Sequence, residues 1–445
     1  MLKTKLKKYL ILLVSIMYYY LFCSVCLADF FEFQNIPTIG GYDLEYFTIK
    51  GDSYIAISNH YNGSSFGNNS YIYKYIDSTF VVFQTIPTTG AKDIKSFKIN
   101  NETYLAIANA CNKSTHKIYL KIYKWNGASF EEYQTISSNH AIDIEFFRIN
   151  EDIYLALANY RNDSQYRVNS KIYKWNNSLF EEFQLILSNG GTDFNYFVID
   201  DENYLALANY YNGSTYKVNS VIYKWNGENF VNFQEILTYG ARHWESFQID
   251  GINYLAVSNR YYNKNYNNNS VIYKYNGYEF EELQTILTHG AVCSEFFTID
   301  NNHYLSFSNQ NNGQTQNLKS IIYKWDTNTN SFIEDQQLNT NTSQQITSFV
   351  IGDKQFLSLS NYHDGFTYRL NTRIFIWQTP NIDTDNDGVI DLFDKCPNTF
   401  QNSIVYSDGC STVRGDYNDN QKLDLSDCIG ILKELIQNTN SGNLQ

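Results

Sequence analysis

The stretch Tyr204-Leu205-Ala206-Leu207-Ala208-Asn209 decides the fold. Leu205 and Leu207 face one way; Tyr204, Ala206 and Ala208 face the other. A period of two over so short a run is the pattern of a half-buried β-strand. Downstream stands Ile222-Tyr223-Lys224-Trp225, short and aromatic, followed by Asn226-Gly227 and the run Phe230 to Ile236. Asn and Gly both tolerate positive φ, so the dipeptide joins the last two strands as a hairpin. Upstream, Asp193 to Ile199 alternates as well, with Phe197 and Ile199 on one face. The unit therefore reads as four strands.

The unit repeats. Its closing Asn recurs at Asn59, Asn109, Asn159, Asn209, Asn259, Asn309 and Asn361, with a spacing of 50 residues five times and 52 once. A second marker, Ile-Tyr-Lys-Trp or a close variant, recurs around Tyr73, Tyr123, Tyr173, Tyr223, Tyr273 and Tyr323. It returns as Ile374-Phe375-Ile376-Trp377. A third, Phe-Gln or similar, ends at Gln34, Gln84, Gln134, Gln184, Gln234 and Gln284, and is degraded near Gln337. Four antiparallel strands in about fifty residues make a propeller blade. A solenoid of such units would need caps at both ends, and none is visible. Instead the repeats begin mid-unit, with the outer-strand sequence Phe30 to Gln34, and end at Trp377 without an outer strand. Pairing the first strand beside Ile374 to Trp377 completes a seventh blade and closes the ring, which removes exposed sheet edges. The expected fold is all-β: a seven-bladed propeller of four-stranded blades closed by the N-terminal strand, followed by a small calcium-binding tail.

With their Tyr-Leu-Ala and Ile-Tyr-Lys-Trp strands, the seven units resemble the epilepsy-associated repeats (EAR, or EPTP) over about residues 30 to 378. In that family they form the propeller of the leucine-rich glioma-inactivated proteins and related surface proteins. The resemblance implies secretion and protein–protein recognition at a cell surface. No leucine-rich repeats precede the propeller in this chain, so the neuronal biology need not transfer.

Composition agrees with strands. Of 445 residues 43% are apolar, enough for a core, and 17% are aromatic, with 39 Tyr and 30 Phe; aromatic enrichment favours β structure. The net charge of −13 argues against nucleic acid or an anionic membrane surface as the main partner. At the N-terminus Lys3, Lys5, Lys7 and Lys8 precede an apolar run from Tyr9 to Leu27, and Cys26 and Ala28 are small residues before Asp29. Residues 1–28 read as a signal peptide; an uncleaved anchor is the alternative. No later stretch is apolar enough to span a bilayer as a helix. Export makes disulfides possible, and Cys111 and Cys293, each present in a single repeat, read as buried small residues.

Composition changes after Trp377. Asp383, Asp385, Asp387, Val389, Asp391 and Asp394 fall at loop positions 1, 3, 5, 7, 9 and 12, with Val389 acting through its carbonyl and Gly388 permitting the sharp turn. Calcium is a hard cation that takes six to eight oxygens, and this spacing wraps them around one point. The loop lacks His and Cys, which disfavours zinc. The continuation Lys395-Cys396-Pro397-Asn398-Thr399 with Gly409-Cys410 resembles a thrombospondin type 3 repeat over residues 379–411. That resemblance implies a Cys396–Cys410 staple. Over residues 412–445, Asp416, Asn418, Asn420, Lys422, Asp424 and Asp427 repeat the spacing and lead into an apolar run. This segment resembles half of a dockerin or a lone EF-hand. Gln421 stands where Gly is usual and Asp427 where Glu is usual, so affinity suffers.

Within the propeller, the first strand of a blade lines the central channel. Asp43, Asp93, Asp143 and Asp193 share one position there, followed by His243 and Cys293; Glu45, Glu145, Glu245 and Glu295 lie two residues later. Carboxylates converging on one axis repel unless a cation or donors offset them. Two readings stand: a cation or basic-ligand site, or hydration with hydrogen bonds to neighbouring blade backbones. Lys74, Lys124, Lys174, Lys224, Lys274 and Lys324 read as solvent-facing blade residues, and the recurring Asn as a turn cap.

No Gly-x-Ser-x-Gly, His-Glu-x-x-His or P-loop is present. The expected function is therefore a secreted or cell-surface binding or adhesion propeller, not an enzyme. Its partner would be an extracellular protein or glycan, and Ca2+ its cofactor. A carbohydrate-active propeller, which needs paired carboxylates in a pocket, and a scaffold component tethered through the tail are the alternatives.

Overall fold

A computed structural model describes residues 28–378, and among them every helix or strand is a β-strand, numbered β1 to β28 along the chain. The first five are β1 (Asp29–Ile39), β2 (Gly41–Ile49), β3 (Asp52–Asn59), β4 (Gly67–Ile76) and β5 (Thr79–Thr89). Strands β2-β3-β4-β5 form the first four-stranded antiparallel sheet, and five further sheets of consecutive strands follow. The seventh has the order β1-β28-β27-β26, where β26 is Ser343–Ile351, β27 Lys354–Asn361 and β28 Arg369–Gln378. The N-terminal strand thus supplies the outer strand of the last blade, as the repeat phase requires. The Thr38 hydroxyl donates to the Leu370 carbonyl at 3.0 Å across that join, and Arg373 pairs with Glu32.

The fourth blade shows how the repeat builds a sheet. Its strands are β14 (Gly191–Ile199), β15 (Glu202–Asn209), β16 (Lys217–Trp225) and β17 (Phe230–Tyr239). Asp200 and Asp201, at φ 49° and 63°, make the two-residue turn from β14 to β15. The Asn226-Gly227 hairpin is present but differs in detail from the sequence expectation. The link spans Asn226 to Asn229, and Gly227 alone of the pair has positive φ, at 103°. Asn226 instead accepts hydrogen bonds through Oδ1 from the amides of Glu228 and Asn229, at 3.0 and 2.9 Å. Its side chain organises the loop.

A second correction concerns burial. The Tyr-Leu-Ala-Leu-Ala-Asn strand is buried on both faces, not one. Leu205 and Leu207 pack against Ala156, Ala158 and Phe147 of the preceding blade. Ala206 and Ala208 on the other face receive Leu255, Val257 and Trp244 of the following blade. Large side chains meet small ones at these blade-to-blade interfaces, which lets the sheets approach closely. Stacked rings continue the interface, as in Phe147 on Tyr196, with centroids 4.6 Å apart.

The markers also have definite tasks. Gln184 accepts from the Phe230 amide at 3.0 Å and donates to the Phe230 carbonyl at 2.7 Å, so one side-chain amide pairs with the outer edge of the next blade. Gln34, Gln84, Gln134, Gln234 and Gln284 do the same one blade on. The closing Asn is a bridge and not a turn cap. Asn209 accepts from the Asn189 amide at 2.8 Å and donates to the Asn219 carbonyl at 2.8 Å, tying the preceding outer strand to its own third strand. The turn is capped three residues later, where Asn212 Oδ1 accepts from the amides of Ser214 and Thr215. Lys74, Lys124 and Lys174 lie over Tyr54, Tyr104 and Tyr154 and pair with Asp52, Glu102 and Asp152.

Replacing Gln184 by Leu leaves the Phe230 N–H and C=O without their partners and is expected to lower unfolding free energy by about 1–3 kcal/mol. Gln184→Glu keeps the acceptor alone and should fall between parent and Leu. Chemical denaturation of the three proteins checks this.

Candidate functional site

The innermost strand of each blade has one edge with no strand beside it, and that edge faces the channel. Its backbone donors need acceptors. The channel carboxylates supply them. Asp43 Oδ2 accepts from the Ile94 amide at 3.0 Å, Asp93 from Ile144 at 2.8 Å, Asp143 from Phe194 at 2.8 Å and Asp193 from Trp244 at 2.7 Å. A second tier repeats the bond two residues on. Glu45 accepts from Ser96, Glu145 from Tyr196, Glu245 from Phe296 and Glu295 from Ser348, at 2.9 to 3.1 Å. Each bond runs from one blade to the next. Thr347 closes the circle by donating to the Leu44 carbonyl at 3.1 Å. Of the two readings of these acids, the geometry supports hydrogen bonds to neighbouring backbones.

The carboxyls enclose a cavity of about 200 Å³. The second blade places Lys95 where Glu would stand, and its ammonium lies 3.2 Å from Glu145. Glu145 first, with Glu45, Asp93 and Asp143, holds Lys95 well above its usual pKa. One cation does not balance eight acids. Burial raises Asp43 and Asp143 to about 7 and Glu295 to about 8, and with help from Asp43 and Asp143 it holds Asp93 well above the usual carboxylate range. Burial next to Lys95 and Arg242 pulls His243 down to about 3, so its imidazole is neutral. Sequence reading located these acids, but not the proton sharing that their burial enforces.

Above the acids the character of the channel inverts. In five blades the first strand carries a bulge immediately before the Asp position, between Ala91 and Asp93 or Ala241 and His243, for example, and in the first and seventh the irregularity spans Gly41 to Leu44 and Ser343 to Ile346. A bulge re-aims a side chain, and here the extra residue turns toward the channel mouth. Tyr42, Lys92 and Arg242 stand there, joined by His60, Tyr210 and Arg260 from the ends of the second strands, around a cavity of about 380 Å³. Lys92 Nζ and Arg242 Nη2 both donate to the Tyr42 hydroxyl, at 3.2 and 3.0 Å. Burial opposes ionisation of Tyr42, but the two cations outweigh it and bring its pKa down to about 7.

These mouth residues escaped the sequence reading. A signal was present: within otherwise faithful repeats, the residue before the Asp position reads Tyr42, Lys92, Ile142, Thr192, Arg242, Val292 and Gln344. Positions that vary while their neighbours repeat are released from building the ring. The predicted calcium ligands, the leader and the Cys396–Cys410 pair lie outside the described residues. Cys111 and Cys293 are free and buried.

The EPTP domain model matches six consecutive segments, 29–76, 79–126, 129–176, 179–226, 229–276 and 279–326. The chain belongs to the EPTP family. Each EPTP segment opens on the outer strand of one blade and closes on the third strand of the next, so the sequence repeat straddles two blades. A comparison with curated proteins finds no match. Among solved structures, the EPTP propeller is similar to one described as a candidate 6-phosphogluconolactonase from Bacteroides uniformis ATCC 8492. Identity is 11%, TM-score 0.53, and the match covers 74% of this chain and 100% of that one. That likeness concerns the fold alone.

Unfolded carboxyls lose their protons near pH 4, whereas Asp43, Asp143 and Glu295 in the ring hold theirs to about 7 or 8. The folded state therefore binds more protons through that window, and these groups make stability fall as pH rises. Asp93→Asn keeps an acceptor for Ile144 and removes an acid whose pKa burial and its neighbours hold well above the usual range. It should raise Tm by a few degrees at pH 8 and by less at pH 5; equal shifts at both pH values would contradict the account. Separately, spectroscopic titration should show one tyrosine ionising near pH 7, a step absent in Tyr42→Phe.

Proposed function

We propose that this EPTP propeller is an exported binding module, displayed or released outside the cell, that recognises an extracellular protein or glycan at the mouth of its channel. The observation that carries the reading is the division of labour among repeat positions. Those that recur (Asn209, Gln184, Asp193 and their equivalents) are spent on blade-to-blade bonds. Those that vary gather around the mouth. A catalytic role is not part of the proposal. The channel acids that line the cavity form a repeating ring, each with an oxygen committed to a neighbouring backbone, and not an asymmetric pair set apart for acid and base work.

The same proposal assigns residues 1–28 to a cleaved signal. It gives the two acidic loops from Asp383 and Asp416 to calcium, which orders a thrombospondin type 3-like and a dockerin-like tail. The tail then serves adhesion or tethering.

Two measurements test these assignments. Labelled full-length mature chain is applied to arrays of extracellular proteins and glycans, beside Arg260→Gln, which carries the residue of the next blade, Gln310. Specific binding that weakens in the variant while its Tm holds is the expected result. Turnover of glycosides or lactones that vanishes in Asp143→Asn and Asp193→Asn would overturn the binding reading. Calorimetric titration should show calcium uptake by the full chain that is lost in the Asp383→Asn, Asp385→Asn double variant.

A further inference from the structure

The mouth of the channel is a cationic cavity with no carboxylate in its lining, where the one acidic group is the Tyr42 hydroxyl, with a pKa of about 7. Three basic side chains, Lys92, Arg242 and Arg260, line it, and no Asp or Glu does. Among the described residues none of the three forms an ion pair. Their hydrogen bonds go to one amide oxygen and to phenol oxygens, of which that of Tyr42 is partly ionised at neutral pH. Lys92 and Arg242 share the Tyr42 hydroxyl, and Arg260 donates to the Tyr210 hydroxyl at 2.6 Å and to Gln310 Oε1 at 2.5 Å. The Tyr210 ring lies beside both guanidiniums, 5.6 Å from that of Arg242 and 5.9 Å from that of Arg260. Lys92, Tyr42, Arg242, Tyr210 and Arg260 thus form one connected arc.

Two polar nitrogens at this mouth lack partners. Arg242 Nε is buried with no hydrogen-bond partner, and so is Nδ1 of His140, a side chain only 8% exposed that lines the same cavity. Buried polar groups are nearly always paired, and each exception calls for a reason. His140 is unusual in its backbone as well. It sits at φ 51°, where the equivalent residues Gly40, Gly90, Gly190, Gly240 and Gly290 are glycines at φ near 60° and Thr342 of the seventh blade is the other exception, at φ 47°. A side chain there is costly: at Gly190 a Cβ would lie 2.8 Å from the Tyr211 carbonyl oxygen. A left-handed non-glycine costs about 1–2 kcal/mol, and such strain collects at binding sites. The third blade accepts it and gains an imidazole at the mouth.

The walls between the charges are aromatic: Tyr160, Tyr216 and Tyr362, beside the buried Tyr210. Tyrosine faces pack against the C–H surface of a sugar ring, and their hydroxyls serve its oxygens. The volume of about 380 Å³ lies within the range of small-ligand clefts, roughly 300–1,000 Å³. Arginine forks and a lysine match the oxygens of a carboxylate, phosphate or sulfate.

We infer that the cationic, tyrosine-walled mouth of the channel binds an acidic sugar, a pyranose carrying a carboxylate, phosphate or sulfate group. The oxyanion sits against Lys92, Arg242 and Arg260, and the ring lies on the tyrosines. The assignment gives the chemistry of the ligand at the mouth and rests on the binding reading only in placing recognition there.

Calorimetric titration of the full mature chain with glucuronate, glucose 6-phosphate, glucose 6-sulfate and neutral glucose tests it, and the three acidic arms tell which oxyanion is preferred. At least one acidic sugar should bind about tenfold or more tighter than glucose, and the preference should shrink as salt rises. Arg242→Thr and Arg260→Tyr, which install the residues of neighbouring blades (Thr192 and Tyr210), should each weaken that binding about tenfold. His140→Gly, which restores the glycine of five other blades, should weaken it while the Tm holds or rises. Glucose binding as well as its acidic forms, or no binding by any of them, would overturn the assignment and leave the binding-module reading to its own test. Binding followed by chemical change of the sugar, read by NMR on the same samples, would overturn the binding-module reading and leave the anion site standing. Variants that fold and bind like the parent would show that the anion goes elsewhere.

Discussion

A propeller blade has two edges, and neither is paired within its own sheet. The hydrogen bonds that cover them come from side chains of the neighbouring blade. On the outer edge a glutamine amide mimics a strand, giving one acceptor and one donor to Phe230 or its equivalent. On the inner edge carboxylates accept from the amides of the next first strand. Between these limits the sheets are held by large-on-small packing, Leu205 and Leu207 on Ala156 and Ala158. Since each blade satisfies the next, every blade edge is covered only when the circle is complete, and β1 completes it.

The inner hydrogen bonds set the electrostatics of the channel. An acid recruited to accept a backbone amide is brought close to its counterparts from other blades. The ring then cannot hold a full negative charge on every carboxyl, and protons are retained to about pH 7 or 8 at Asp43, Asp143 and Glu295. Lys95 offsets part of that charge. The mouth carries the opposite sign and makes no bonds to the edge amides. Its residues reach the channel through the bulges that precede the acids, which lets two successive residues of one strand face the same space. Binding chemistry is thereby separated from ring-building chemistry by a single residue step.

Much of this was legible in the chain. The fifty-residue period, the four runs of alternating residues in each unit and the mid-unit start led to seven closed blades. Asp43, Asp93, Asp143 and Asp193 were recognisable as a channel ring from their equivalence alone. Other elements were misread for identifiable reasons. Asn209 looked like a turn cap because Asn favours turns, yet its partners, Asn189 and Asn219, lie ten or more residues away in sequence. The Leu/Ala alternation looked half-buried because period two does not distinguish a solvent face from a face filled by another blade's side chains.

Repetition is local information, and the chain carries it openly: period, strand number, turn chemistry and the phase that closes the ring all follow from residue spacing. The convergence of Lys92, Tyr42, Arg242, Tyr210 and Arg260 is different. They come from four blades and are up to about two hundred residues apart, and nothing in any one repeat marks them as neighbours. Circular closure brings equivalent positions to one axis. What a channel mouth can bind therefore depends on how seven different residues combine there, which is a property of the ring and of no single blade.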